Sequence, residues 1–171
     1  SLFPIEYVRE FEGCLDNVKS LPWGAIEKIL QEQYQRPLNE IFSHIEKEPL
    51  ASASIAQVHA ARLVTGEDVV IKVQKPGVQN ILLTDFNFLY VAMRVIEKIT
   101  PGISRASMGD IIGDIQATML EECDFLKEAS NIELFDKFLK DSHNQTCCVP
   151  QLYKEFCTPK VLVMERFYGV P

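Results

Sequence analysis

A single lysine inside a short β-branched run most constrains how this chain can fold. The run is Val69-Val70-Ile71-Lys72-Val73, and it lies between the turn signals at residues 65–68 and 75–77. A run of this length and composition between two turns predicts a strand rather than a helix. Because an unpaired buried charge is costly, the Lys72 ammonium must lie near an anion. We therefore expect a strand that presents one cation to an acidic group or an anionic ligand.

An alanine- and serine-rich segment precedes this strand. The segment Ala51–Val58 has the spacing of G-x-G-x-x-G-x-V, the protein-kinase loop that covers ATP phosphates, but with alanine at each glycine position. Lys72 lies 14 residues after Val58, in a run close to the kinase V-A-I-K strand. Each signal alone has an ordinary explanation, either a close-packed turn or a solvent-facing lysine. Together they favour a site for nucleotide phosphates.

Kinases hold the strand lysine with a glutamate from a helix, and the longest periodic segment of this chain offers several acids. Apolar residues recur every three or four positions from Asp110 to Lys140, which predicts one helix. Its candidate acids are Glu121, Glu122, Asp124 and Glu128. On one continuous helix, three of these (121, 124 and 128) share a side. An ordinary solvated acidic face is the alternative interpretation of the cluster.

The order of predicted elements indicates an α+β fold with an antiparallel sheet, because strands and helices are segregated rather than alternating. Residues 1–48 are predicted to form a helical N-terminal extension, and residues 49–171 a lobe of strands and helices. The predicted helices cover residues 4–18, 23–35, 38–45, 84–100 and 110–140. The predicted strands lie within residues 50–63 and cover 69–73, 151–156 and 161–165.

Composition excludes several classes of function. The chain has 171 residues, with 17 Lys and Arg against 24 Asp and Glu, so its net charge of −7 does not suit nucleic acid. Its five cysteines are an odd number, which favours a reducing compartment over a disulfide framework. A zinc site at His143 and the cysteines 147, 148 and 157 is not expected, because no C-x₂-C pair is present. His59 is expected to be a packed strand residue.

Four stretches of the chain closely resemble the UbiB family, the aarF-domain atypical kinase-like proteins of ubiquinone and other isoprenoid-quinone metabolism. The stretches are Pro49-Leu50-Ala51-Ser52-Ala53-Ser54-Ile55-Ala56-Gln57-Val58-His59, Ile71-Lys72-Val73-Gln74-Lys75-Pro76-Gly77-Val78, Glu122-Cys123-Asp124-Phe125 with Glu128-Ala129-Ser130-Asn131, and Val163-Met164-Glu165 with Gly169. The resemblance runs from about Phe3 to Pro171. It implies a protein-kinase-like N-lobe behind a helical extension.

The resemblance also implies a role for individual residues. Lys72 resembles the lysine that contacts nucleotide phosphates, and Glu128 resembles its helix partner, which makes them the catalytic pair. Glu122 and Asp124 match the family's E-x-D motif, which in relatives helps an N-terminal extension to occlude the protein-substrate site. The other implied nucleotide-binding residues are Ala51, Ser52, Ala53 and Ser54 of the alanine-rich loop, Val58, and Glu165 and Phe167 of the hinge, with Met164 near the gatekeeper position.

The function implied by the resemblance is the ATP-binding part of an atypical kinase or ATPase that supports quinone biosynthesis. The alternative is a non-catalytic, nucleotide-sensing module that docks lipid or protein partners. ATP or ADP with Mg²⁺ is the implied cofactor. We expect the chain to end at the hinge, with the catalytic aspartate and the metal ligands in a C-lobe beyond Pro171, so catalysis by this chain alone stays open.

Partners and compartment are implied in the same way. The expected partners are a nucleotide and, by family, quinone-biosynthesis proteins and a lipid surface, but not nucleic acid. The implied location is a mitochondrion or plastid in a eukaryote, or the cytoplasmic face of the inner membrane in a bacterium. No targeting segment is recognised in the sequence, because charged residues interrupt its opening stretch.

Overall fold

The computed structural model describes residues 19–99, 105–144 and 146–169, which form five strands and four α-helices. In chain order these are α1 (Trp23–Tyr34), β1 (Phe42–Ile45), β2 (Ala51–Ser52), β3 (Ala56–Leu63), β4 (Asp68–Gln74), α2 (Val78–Ile99), α3 (Arg105–Glu121), α4 (Phe125–Asp141) and β5 (Val161–Glu165). The helix predicted over residues 4–18 lies outside the described residues.

The strands form one antiparallel sheet, which confirms the predicted α+β class. Its order is β1-β3-β4-β5, and β2 also pairs with β3. The turn between β3 and β4 depends on Gly66, whose φ of 110° is a conformation that other residues rarely adopt. The register aligns Lys72 with Val58 on one side and with Leu162 on the other. Lys72 therefore lies on a central strand.

Each face of the sheet is covered by a different helix. Alternate residues of β4, namely Val69, Ile71 and Val73, are fully buried in a cluster with Ile26 and Leu30 of α1. Side chains alternate between faces along a strand, so Lys72 lies on the opposite face. There, Ala56 and Leu162 pack against Phe125 and Ala129 of α4. The sheet thus lies between α1 and α4.

Two predicted helices disagree with the structure: one does not form, and the other begins earlier than predicted. Residues 38–45 are not helical: Leu38–Glu40 is a short 3₁₀ turn, and Phe42–Ile45 is strand β1. Pairing with β3 and burial of Ile41 and Phe42 against the core override their helical spacing. The helix predicted from residue 84 begins at Val78, directly after Gly77. The division of the chain at residue 48 stays a prediction, although β1 joins the sheet.

Two further predictions were wrong about continuity. The single helix predicted over residues 110–140 is two helices, α3 and α4, separated at residues 122–124. The strand predicted over residues 151–156 is reduced to a bridge at Leu152 and a 3₁₀ turn at Lys154–Phe156. That turn packs against the core through the side chain of Phe156. The backbone carbonyl of Phe156 also accepts a hydrogen bond from the Tyr34 hydroxyl at 2.9 Å. Tertiary contacts therefore decide the conformation of this segment.

Candidate functional site

Lys72 and Glu128 form an ion pair between the centre of the sheet and α4. The Lys72 Nζ donates to both carboxylate oxygens of Glu128, at 2.8 and 2.7 Å. It also lies 4.9 Å from the centre of the Phe125 ring, within range of a cation–π contact. The two side chains remain 23% and 35% exposed. The ammonium is therefore held on two sides and still open to an anionic ligand.

The start of α4 explains why Glu128 is the acid that reaches the sheet. Asp124 is the N-cap of α4, and its carboxylate accepts a hydrogen bond from the Leu126 N–H at 3.1 Å. The Phe125 N–H donates to the Pro159 carbonyl at 3.0 Å, which ties the helix start to the turn before β5. Glu128 then lies in the first turn of α4, where the helix dipole favours a carboxylate.

The other acids of the cluster have different surroundings. Glu121 ends α3 and pairs with Lys127 at 2.7 Å on the surface. Glu122 is exposed in the break between the helices. Because α3 and α4 are separate helices, Glu121, Asp124 and Glu128 do not form the continuous row that was predicted. Of these four, Glu128 is the acid that the structure places against Lys72.

A cleft opens beside the ion pair. Its volume is about 630 Å³, and Lys72, Glu121, Glu122 and Glu128 are among its lining residues. Of the predicted E-x-D pair, Glu122 faces this cleft and Asp124 caps the helix. Within residues 19–99, 105–144 and 146–169, no three potential ligands cluster to hold a metal ion. The cleft thus sets the Lys72 cation beside three acids.

The alanine-rich loop forms the hairpin between β2 and β3. Ala51 pairs with Val58, and the Ala53 N–H donates to the Ala56 carbonyl at 2.8 Å to close the turn. Ala53 and Ser54 are exposed at the tip. Residues directly opposite each other on antiparallel strands share a face. The loop therefore starts on the face that carries Val58 and Lys72.

The side chain of Ser52 lies on the other face. Ser52 pairs with Gln57, which is fully buried on the α1 side of the sheet. The Ser52 Oγ is also buried, and within the described residues it has no hydrogen-bond partner. The contact of Ser52 with a nucleotide stays a prediction, and the burial of its Oγ leaves the backbone as the group that could make it.

An apolar wall on the Lys72 face leads to the predicted hinge. Val58, Val70 and Met164 come from three neighbouring strands and are partly buried. Beyond Met164, the backbone N–H of Glu165 donates to the Gln151 carbonyl at 2.8 Å. The side chain of Phe167 is 53% exposed. Val58 lies directly opposite Lys72 in the register, so this apolar surface adjoins the cation. The hinge role of Glu165 and Phe167 stays a prediction.

Two buried polar residues lie on the central strands, with His59 on the α1 face of the sheet and Gln74 on the Lys72 face. His59 is fully buried, and its Nδ1 lies 2.8 Å from the Glu46 carbonyl oxygen, in agreement with the predicted packed role. Gln74, two positions after Lys72, donates from Nε2 to the Cys123 carbonyl at 2.6 Å. Sequence reasoning missed Gln74. The two-residue spacing from Lys72 on a strand was the signal that could have found it.

Comparison with known proteins supplies the family. The ABC1 atypical kinase-like domain matches residues 13–171. This chain belongs to that family. An uncharacterized, chloroplastic aarF domain-containing protein kinase of Arabidopsis thaliana is 48% identical over 173 residues, covering 100% of this chain and 32% of that protein. The probable protein kinase UbiB of Pseudomonas putida strain F1 is 43% identical over 170 residues, covering 99% and 31% respectively.

One solved structure is similar over nearly the whole chain. The complex structure of Rv3197 with erythromycin from Mycobacterium tuberculosis aligns with a TM-score of 0.71 and 28% identity, covering 99% of this chain and 42% of that one. The UbiB resemblance and the kinase-like fold are thus confirmed. This ABC1 domain spans about a third of the curated relatives (32% and 31%), so the activity of a whole protein is a matter for proposal. Among the described helices, none is long and apolar enough to cross a membrane.

Proposed function

We propose that this ABC1 domain is the ATP-binding part of a UbiB-type atypical kinase or ATPase that supports ubiquinone or related quinone biosynthesis. The observation that carries the proposal is the Lys72–Glu128 ion pair, with two N–O distances of 2.8 and 2.7 Å beside an open cleft. An ammonium held in this way, on the strand that follows an alanine-rich hairpin, suits the α- and β-phosphates of a nucleotide.

The residues present fit a nucleotide in three respects. Lys72 offers a partly exposed cation to the phosphates, and the wall of Val58, Val70 and Met164 offers an apolar surface to the base. The loop Ala51–Ser54 would cover the phosphates, but the alanine Cβ atoms restrict close backbone approach more than glycine does. We therefore expect weak transfer to protein substrates.

The chemistry of this chain is that of binding and orientation. Glu128 keeps Lys72 extended toward the cleft, and Lys72 offsets phosphate charge. Mg²⁺, when bound, supplies further charge neutralisation on the phosphates. By family, we assign the ligands of that Mg²⁺ to a C-lobe. By family, we assign the protein to a quinone-producing compartment, either an organelle or the cytoplasmic face of a bacterial inner membrane.

The test compares full-length wild-type protein with Lys72→Met and with Lys28→Met, a matched change at an exposed lysine of α1. A ligand at a hundredfold excess over its Kd stabilises a protein by about 2.7 kcal/mol. We expect Mg-ATP to raise the Tm of the wild type and of Lys28→Met, but not of Lys72→Met. We also expect Lys72→Met to fail to restore quinone levels in a strain that lacks the gene. A full Tm shift in Lys72→Met contradicts the proposal.

One observation supports the docking part of the alternative, in which nucleotide binding controls docking without turnover. Exposed apolar side chains form a stripe along one side of α2, at Ile81, Phe88, Val91, Val95 and Ile99. Such a stripe suits a lipid surface or an apolar protein partner. Binding to phospholipid vesicles that depends on Mg-ATP, without release of phosphate, is the expected outcome of this alternative. Phosphate release that is lost in Lys72→Met favours the enzyme instead.

A further inference from the structure

Gln74 forms a second link between β4 and the helix that carries Glu128. It lies two residues after Lys72, so the two side chains share one face of the sheet. Its side chain is 4% exposed, and its Nε2 donates to the carbonyl of Cys123 at 2.6 Å. Cys123 is fully buried and directly precedes Asp124, the N-cap of α4. The side-chain amide of Gln74 is therefore hydrogen-bonded to the backbone just before α4 begins.

The carbonyl that Gln74 binds lies outside the hydrogen-bond ladder of α4. In a continuous helix, the Lys127 N–H would donate to the Cys123 carbonyl. Here it donates instead to the backbone carbonyl of Asp124, at 3.0 Å. The break between α3 and α4 thus leaves this carbonyl in need of another donor, and a buried carbonyl without one is destabilising. Gln74 supplies the donor from the sheet.

The two links also lie at different points on both elements. Lys72 and Gln74 are separated by about 6.6 Å along β4. On the other side, Cys123 directly precedes the N-cap of α4, and Glu128 lies in the first turn of that helix. Two contacts at separate points restrain both the position and the direction of the helix start.

We propose that Gln74 is a positioning residue that sets the register of α4 on β4 and so holds Glu128 against Lys72 before any nucleotide arrives. The part of this inference that concerns the nucleotide rests on the proposed function. The register itself does not, because it is a property of the protein without ligand. Gln74 acts through Cys123 and Glu128 and touches no nucleotide.

The experiment uses full-length protein with Gln74→Met, which keeps the length of the side chain and removes the donor. Gln79→Met, at an exposed glutamine of α2, is the matched control. Without nucleotide, we expect hydrogen exchange at residues 123–130 to be about tenfold faster in Gln74→Met and unchanged in Gln79→Met. Unchanged exchange in Gln74→Met overturns the inference. If Gln74→Met does not fold, Gln74→Asn keeps the amide, shortens its reach and carries the same test.

A second measurement separates positioning from general destabilisation. We expect Gln74→Met to weaken Mg-ATP binding about tenfold in the wild-type background and less than about twofold in a Glu128→Ala background, because its effect passes through Glu128. An equal loss in both backgrounds overturns the inference. If the wild type itself does not bind Mg-ATP, the proposed function fails, and the exchange measurement still decides the role of Gln74.

Discussion

The Lys72–Glu128 ion pair should stabilise the fold measurably more than an ordinary surface ion pair. Exposed pairs contribute about 0.2–1 kcal/mol, and breaking a fully buried pair costs about 3–5 kcal/mol. With side chains 23% and 35% exposed and two short N–O contacts, this pair lies between the two classes. We expect a coupling energy of about 1.5 kcal/mol.

A double-mutant cycle with Lys72→Met and Glu128→Gln isolates that energy. Urea unfolding of the 171-residue chain can be followed by the fluorescence of Trp23, its single tryptophan. The Lys28–Glu32 pair of α1 is the control, because its N–O distance is 3.9 Å and its side chains are 76% and 62% exposed. We expect about 0.3 kcal/mol for this control pair.

Salt concentration provides a further check on the same cycle. At 1 M salt, the Debye length falls to about 3 Å, so the contribution of the exposed Lys28–Glu32 pair should vanish. Most of the Lys72–Glu128 coupling should persist, because its atoms are largely shielded from solvent. A Lys72–Glu128 coupling no larger than that of the control pair would refute the argument that α4 holds the lysine.

Three other predictions follow from burial. Leu30→Ala, at a fully buried position, should lower the free energy of unfolding by about 3 kcal/mol in urea, whereas Leu134→Ala, at a side chain 66% exposed, should change it by less than about 0.5 kcal/mol. Burial raises the pKa of Tyr34, so its contribution to stability is complete below its ordinary value of 10.0 and is lost as the pH rises above it. Tyr34→Phe should therefore lessen alkaline destabilisation in urea titrations, and an unchanged alkaline limb contradicts this. Burial likewise raises the pKa of Cys157, so iodoacetamide should alkylate it more slowly than the exposed Cys147, and equal rates contradict this.

The central hairpin of the sheet could be predicted because its signals are local. β-branched residues between two turn signals predict β4, and Gly66 marks the turn before it. The alternation of Lys72 with buried neighbours already indicates that its side chain lies on the opposite face from Ile71. These features depend on residues close in sequence, and the structure agrees with them.

Strand β1 could not be predicted from local pattern. Ile41 and Phe42 are apolar at a spacing that also suits a helix, and only pairing with Leu63 on β3 makes this segment a strand. A four-residue strand carries little periodicity of its own. Contacts distant in sequence decide such segments, and a single sequence does not show them.

The break between α3 and α4 was missed for a different reason, and the same break shapes the candidate site. The apolar stripe continues through Cys123, and no glycine or proline occurs from Asp114 to Lys140, so periodicity alone predicts one helix. Asp124 is a good N-cap residue, but the acidic cluster around it conceals that signal. Because α4 begins here, Glu128 lies in a first turn, and its approach to Lys72 depends on where the helix starts. The cap at Asp124 and the ion pair at Glu128 therefore belong to one structural unit, in which the short segment between two helices determines whether the lysine has its partner.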